Sequence, residues 1–275
     1  MSKTSAPDFV SRPFAGLPGE ADWVALREIV PSATATVRTT AEHGSREVTI
    51  VTSLPESWPA LHRLDGAVLV ALQTNAGSGD PSRDIAATLL AALELEPGTP
   101  VLTTNLPEAG PRLQDVLELD GDLVPTVHDD FDYWLDPTAE RTDEITRSLE
   151  DAASTIVETV KLDSVPSAYW CRMGRREFLR WAFAYDEEKV LDGIARLHAR
   201  RASSVAGGKF VGAFRACGIS IPVWELPRGT EAADVETAAA EFLPGFRSAV
   251  ESEDELTADE RRARAGVVAR QVTLR

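Results

Sequence analysis

Lysine, cysteine, histidine and long apolar runs are all scarce in this chain, and each scarcity closes off a class of function. Four lysines (Lys3, Lys161, Lys189, Lys209) serve 275 residues, and the P-loop pattern GxxxxGK[ST] is absent. Two cysteines, Cys171 and Cys217, form no CxxC pair, and the four histidines are scattered. No zinc template exists, and a reducing, cytoplasmic compartment is expected. No apolar run reaches the ~18 residues that a membrane span needs. The N-terminal residues MSKTSAPDFVSRPF lack an apolar core and do not read as a signal peptide. Basic charge is outweighed, 28 Lys+Arg against 44 Asp+Glu, for a net charge of −16 and a pI of about 4.7. Such a surface repels phosphates, so no DNA binding is expected. No cofactor is expected either.

What is present is ordinary for a globular protein: 43% apolar and 26% charged residues, enough apolar material to offset chain entropy. The length suits one large domain or two ordinary ones.

The stretch 66–95 carries the clearest signals, a strand over 67–73, a small glycine-bearing loop and a helix from Pro81 to about Leu95. Asp80 stands at the N-cap and Pro81 at the first helical position. Before it, residues 1–20 hold three prolines and two glycines and read as an irregular arm. A short helix follows over 21–30. The β-branched runs 34–40 and 47–53 flank Glu42-His43-Gly44-Ser45 and predict a hairpin. Proline inside 123–127 marks an edge strand. Ile145, Leu149, Ala152, Ile156 and Val160 step at helical spacing and predict a long helix over 142–162. Two further hairpins are expected, 168–173 with 177–184 and 210–215 with 219–226. Helices are expected over 186–201 and 231–250, with a last one opening at Thr257.

This order predicts an α+β fold of two related antiparallel-sheet-plus-helix units in tandem. The divisions expected are an arm over 1–20, a first unit over 21–162, a second over 163–252, and a C-terminal helix and tail over 253–275.

Three constellations are candidate sites. Ser78, Asp80, Ser82 and Arg83 lie where a glycine-bearing loop meets a helix N-terminus, a place that suits an anion. The GxGxxG spacing fails there, and the Asp80 carboxylate competes for the same N–H groups. His128, Asp130 and Asp132 would share one face of a strand and could meet a divalent metal; the plainer reading is a solvated acidic turn over Phe131, Tyr133 and Trp134. From Arg172 to Arg215 the charge reverses, and aromatics are interleaved with arginines. Arg172, Arg175, Arg176, Arg180 and Trp181 there form a candidate partner-binding face, for an acidic protein or, less favoured, RNA or the ribosome. No Ser–His–Asp arrangement stands out, so no catalytic residue is assigned and the enzyme reading stays secondary.

Several segments together carry a family resemblance: RPFAGLPGEADWVALREIVPSATA (12–35), SGDPSRDIA (78–86), PRLQDVL (111–117), YDEEKVLDGIARLHA (185–199), FRACGISIPVWEL (214–226) and ERRARAGVVARQVTLR (260–275). The chain resembles an uncharacterised actinobacterial family whose members are often labelled preprotein-translocase ATPase or topoisomerase. No catalytic residues come with that resemblance. The element order is also similar to the secretion-chaperone-like fold, occurring here twice. That similarity implies a non-enzymatic, protein-binding role.

Overall fold

The computed structural model describes residues 9–74, 77–102 and 110–273. The fold is α+β, with two six-stranded sheets and seven helices among the described residues. The chain divides into two compact units, residues 1–156 and 157–275.

The first unit opens with α1 (Glu20–Glu28), whose Trp23, Val24, Ala25 and Leu26 are buried. β1 (Ala33–Arg38) and β2 (Glu47–Val51) form the expected hairpin, with Thr34 opposite Val51 and Arg38 opposite Glu47. β3 (Ala60–His62) and β4 (Val68–Ala71) follow. All four residues of β4 are buried, the mark of a strand covered on both faces. One cover is α2 (Pro81–Leu93), which turns Ile85, Ala86, Leu89 and Ala92 inward. β5 (Thr99–Val101), the single turn α3 (Leu113–Val116), the edge strand β6 (Thr126–Val127) and α4 (Asp143–Ala153) complete the unit.

The helix expected over 142–162 stops at Ala153. The Ser154 and Thr155 hydroxyls donate to the carbonyls of Asp151 and Ala152, competing with helix continuation. The β-branched residues beyond them enter β7 (Thr159–Lys161), which pairs with the second sheet. Helical periodicity ran on by chance through Ile156 and Val160.

In the second unit, β8 (Ala168–Met173) and β9 (Arg176–Trp181) form one hairpin, and β10 (Lys209–Ala216) and β11 (Ile219–Glu225) another. α5 (Glu187–Ala199) lies between them in sequence; α6 (Ala232–Glu251), α7 (Ala258–Val268) and β12 (Gln271–Thr273) follow. One sheet face meets the helices through Trp170, Leu179, Trp181 and Trp224, packed on Ile194, Val235 and Phe246. Trp181 stacks on Phe183 with ring centroids 5.0 Å apart, and Phe183 lies 4.1 Å from Phe246. Each such aromatic contact adds about 0.5–1.5 kcal/mol beyond its burial.

Both sheets are mixed, which corrects the expectation of antiparallel sheets. β2 pairs with β4 in parallel, and β10 with β12 in parallel. Those pairings join strands distant in sequence, so no turn signal announces them. The orders are β5-β3-β4-β2-β1-β6 and β12-β10-β11-β9-β8-β7. Setting β8 to β12 against β1 to β5 gives the same spatial order, fifth-third-fourth-second-first, in both. Directions differ: the second and fourth strands are parallel in the first unit and antiparallel in the second.

Candidate functional site

The 77–84 loop is the centre of a polar knot. Asp80 is wholly buried. Its carboxylate does not cap α2; it accepts from Arg112, Nε to Oδ2 at 2.9 Å and Nη2 to Oδ1 at 3.4 Å. The Asp80 backbone carbonyl instead accepts from the amides of Arg83 and Asp84. Arg83 stands 3.8 Å from Asp80. The Ser82 hydroxyl donates to Gln114 at 2.6 Å and accepts from the Leu113 amide at 3.0 Å. The Ser78 amide donates to Asp84 at 2.8 Å. Arg112 and Gln114 also donate to the Pro13 carbonyl, at 2.7 and 2.8 Å, and the Val10 amide to Gly79. Ser78, Asp80, Ser82 and Arg83 therefore come together: Asp80 and Ser82 turn to Arg112, Leu113 and Gln114, Ser78 bonds within the loop and to Asp84, and Arg83 faces Asp80 with its Nε buried and unpartnered. Sequence reasoning missed Arg112, whose partner lies 32 residues away.

His128, Asp130 and Asp132 do not converge. His128 Nε2 lies 2.9 Å from the Thr34 hydroxyl, Asp130 Oδ1 accepts from the Asp132 amide, and Asp132 pairs with Arg141 at 2.5 Å. Among the described residues no group of three His, Cys, Asp or Glu side chains is arranged to hold a metal ion. Beneath the turn, Phe131 stacks on Trp134 at 4.3 Å, and Trp134 Nε1 donates to the Ser53 carbonyl.

The β8–β9 hairpin splits the basic candidates by the two-residue period of a strand. Trp181 belongs to the core, its Nε1 donating to the Pro166 carbonyl. Arg172 lies 4.9 Å over the Trp170 ring and meets Glu158, Glu177 and Glu231. Partial desolvation opposes its charge, and the hydrogen bonds to Glu231 and Glu177 outweigh it, so its pKa is raised. Arg175 and Arg176 stand exposed at the turn, next to the half-exposed Met173. Arg176 lies 3.6 Å from Glu225; Arg175 forms no ion pair among the described residues.

Arg180 is different from all of these. It sits opposite Tyr169 and Val223 on the sheet face away from Trp170 and Trp181. Its Nε and Nη2 are buried and have no hydrogen-bond partner. Desolvation lowers its pKa, and its ionisable neighbour is the Cys171 thiol, which burial raises in turn. A cavity of about 340 Å³ lies against it, lined also by Phe178, Val211, Phe214, Val223, Arg270 and Val272.

The molecule defined by these observations is a two-unit α+β protein in which most polar groups of the candidate sites are paired internally, while Arg83 Nε, Asp84 Oδ1 and the Arg180 Nε and Nη2 atoms are buried without a hydrogen-bond partner. Residues 13–275 match a family described as a family of unknown function (DUF5926). The chain belongs to that family, in agreement with the resemblance to an uncharacterised one. No curated protein and no solved structure matches. No helix among the described residues is long and apolar enough to cross a membrane.

Proposed function

We propose that the protein is a non-enzymatic, cytoplasmic interaction module of chaperone-like character, built from two related units in tandem. It meets an acidic protein partner at the end of the β8–β9 hairpin. The observation that carries this reading is the exposed Met173–Arg176 turn. In the same unit Arg172, Arg215 and Arg264 are each held by carboxylates, whereas Arg175 is not. An exposed guanidinium beside an apolar side chain suits a segment that mixes carboxylates with apolar residues. The shared strand order of the two sheets supports the tandem reading. The alternative, a phosphate or small-molecule site at Ser78–Arg83, is less well supported, because Asp80 already brings a buried carboxylate to that helix end.

The test compares crosslinked captures from native lysate by the wild type and by Arg175→Glu/Arg176→Glu. The reading expects one partner to be captured by the wild type, lost in the double variant and weakened by salt. Identical captures by both proteins would sink it.

A further inference from the structure

We propose that the Arg180 cavity is a binding site for a small carboxylate with an apolar body. The cavity shares Met173 with the Met173–Arg176 turn, but a small ligand held by Arg180 does not depend on a protein partner there.

The argument begins with which nitrogens lack partners. Nε and Nη2 form the side-on fork of a guanidinium, two parallel N–H groups spaced to match the two oxygens of a carboxylate. This chain uses that fork repeatedly. Arg12 presents Nε and Nη2 to Glu20, Arg63 to Asp65, and Arg112 to Asp80. In Arg180 the same two atoms are buried without a partner. Arg180 as a whole is half-buried and has the Cys171 thiol beside it, but a buried guanidinium edge with no acceptor is costly, and its usual remedy is an internal carboxylate. None is supplied, although acidic residues outnumber basic ones 44 to 28.

The cavity beside it gives the rest of the ligand. Its walls hold Phe178, Phe214, Val211, Val223 and Val272, with two cations, Arg180 and Arg270, and no acidic residue. Its volume of about 340 Å³ falls in the ~300–1,000 Å³ range of small-molecule sites. An apolar wall with a guanidinium fork selects an anion that carries hydrocarbon, and disfavours a cation or a fully hydrated inorganic anion. Arg180 has the rotatable bonds to swing its fork from the wall into the cavity. β12, a three-residue edge strand, supplies Val272 to one wall.

The probe is octanoate, titrated into the full chain by calorimetry and followed by thermal shift, with octanol, octylamine and inorganic phosphate in parallel. The expected result is saturable binding of octanoate, a rise in melting temperature, and no response to the other three. Arg180→Met is expected to melt at or above the wild type and to bind octanoate at least tenfold more weakly. Arg180→Lys, which keeps the charge and loses the fork, also weakens binding while preserving the fold. Octanoate binding unchanged in both variants, an equal response to octanol, or no octanoate binding at all would each overturn the proposal. Phosphate binding as tightly as octanoate would overturn the apolar part of it.

Discussion

Replacing Arg112 with alanine tests the reading of the 77–84 knot. The substitution removes both hydrogen bonds to Asp80 and the one to the Pro13 carbonyl. Asp80 stays wholly buried, with Arg83 at 3.8 Å as its remaining cation. Breaking a buried pair from one side costs about 3–5 kcal/mol, because it strands a charge. Arg112 is itself 28% exposed, so water reaches the gap and the lower end of that range applies, about 3 kcal/mol. For a unit of this size, that shifts the melting temperature by roughly 6–12 °C. Replacing both partners, Asp80→Asn with Arg112→Met, removes the stranded charge and should recover more than half of the loss. Urea unfolding followed by tryptophan fluorescence reads both variants. A loss below about 1 kcal/mol for Arg112→Ala, or a double variant no better than the single, would refute the claim that this pair holds the knot.

Three further outcomes follow from local geometry. Glu236 accepts from the amides of Asp163 and Ser164 at 2.9 Å each, and the Ser164 hydroxyl donates to its backbone carbonyl beside them; burial opposes the charge, and the Ser164 and Asp163 donors outweigh it, so its pKa is lowered. A depressed carboxylate stabilises above its unfolded pKa and loses that contribution as pH falls through the folded one. Glu236→Gln is therefore expected to cost about 1 kcal/mol at neutral pH, a difference from wild type that closes below the ordinary glutamate range in a pH series of denaturant melts. A Cβ at Gly193 would lie 2.5 Å from Val250 Cγ2, so Gly193→Ala should force α5 from α6 and cost about 1–3 kcal/mol; a wild-type melt for that variant contradicts this packing. At Gly212 the added carbon would lie 2.4 Å from the Arg270 carbonyl oxygen. Gly212→Ala should detach β12, seen as faster amide exchange in 271–273, with the melt of the remaining unit little changed.

Legibility in the sequence followed the range of the interactions. The hairpins β1–β2, β8–β9 and β10–β11 were readable, because β-branched alternation and turn residues lie within a few positions of each other. β3, β5, β7 and β12 were not. Each is three residues long, too short for a period, and is a strand because a distant partner accepts it. The same distance hid Arg112 from Asp80. Arg175 and Arg180 looked alike as members of one basic run. Only the packing, which buries the Arg180 fork on the sheet face away from Trp181 and leaves Arg175 exposed at the turn, tells them apart. Local chemistry is written along the chain; pairing between remote segments is written in the packing.

The knot around Asp80 also sets an order of events. Arg112 and Gln114 reach back 99 and 101 residues to the Pro13 carbonyl, and the Val10 amide reaches forward to Gly79. On the ribosome the arm emerges before α3, so the Pro13 carbonyl cannot meet Arg112 and Gln114 until α3 has been made. At ~5–20 residues per second that is a wait of roughly 5–20 s. During that interval Phe14, which ends wholly buried, has no finished core to enter. The arm's bonds to α3 therefore report completion of the first unit rather than its start.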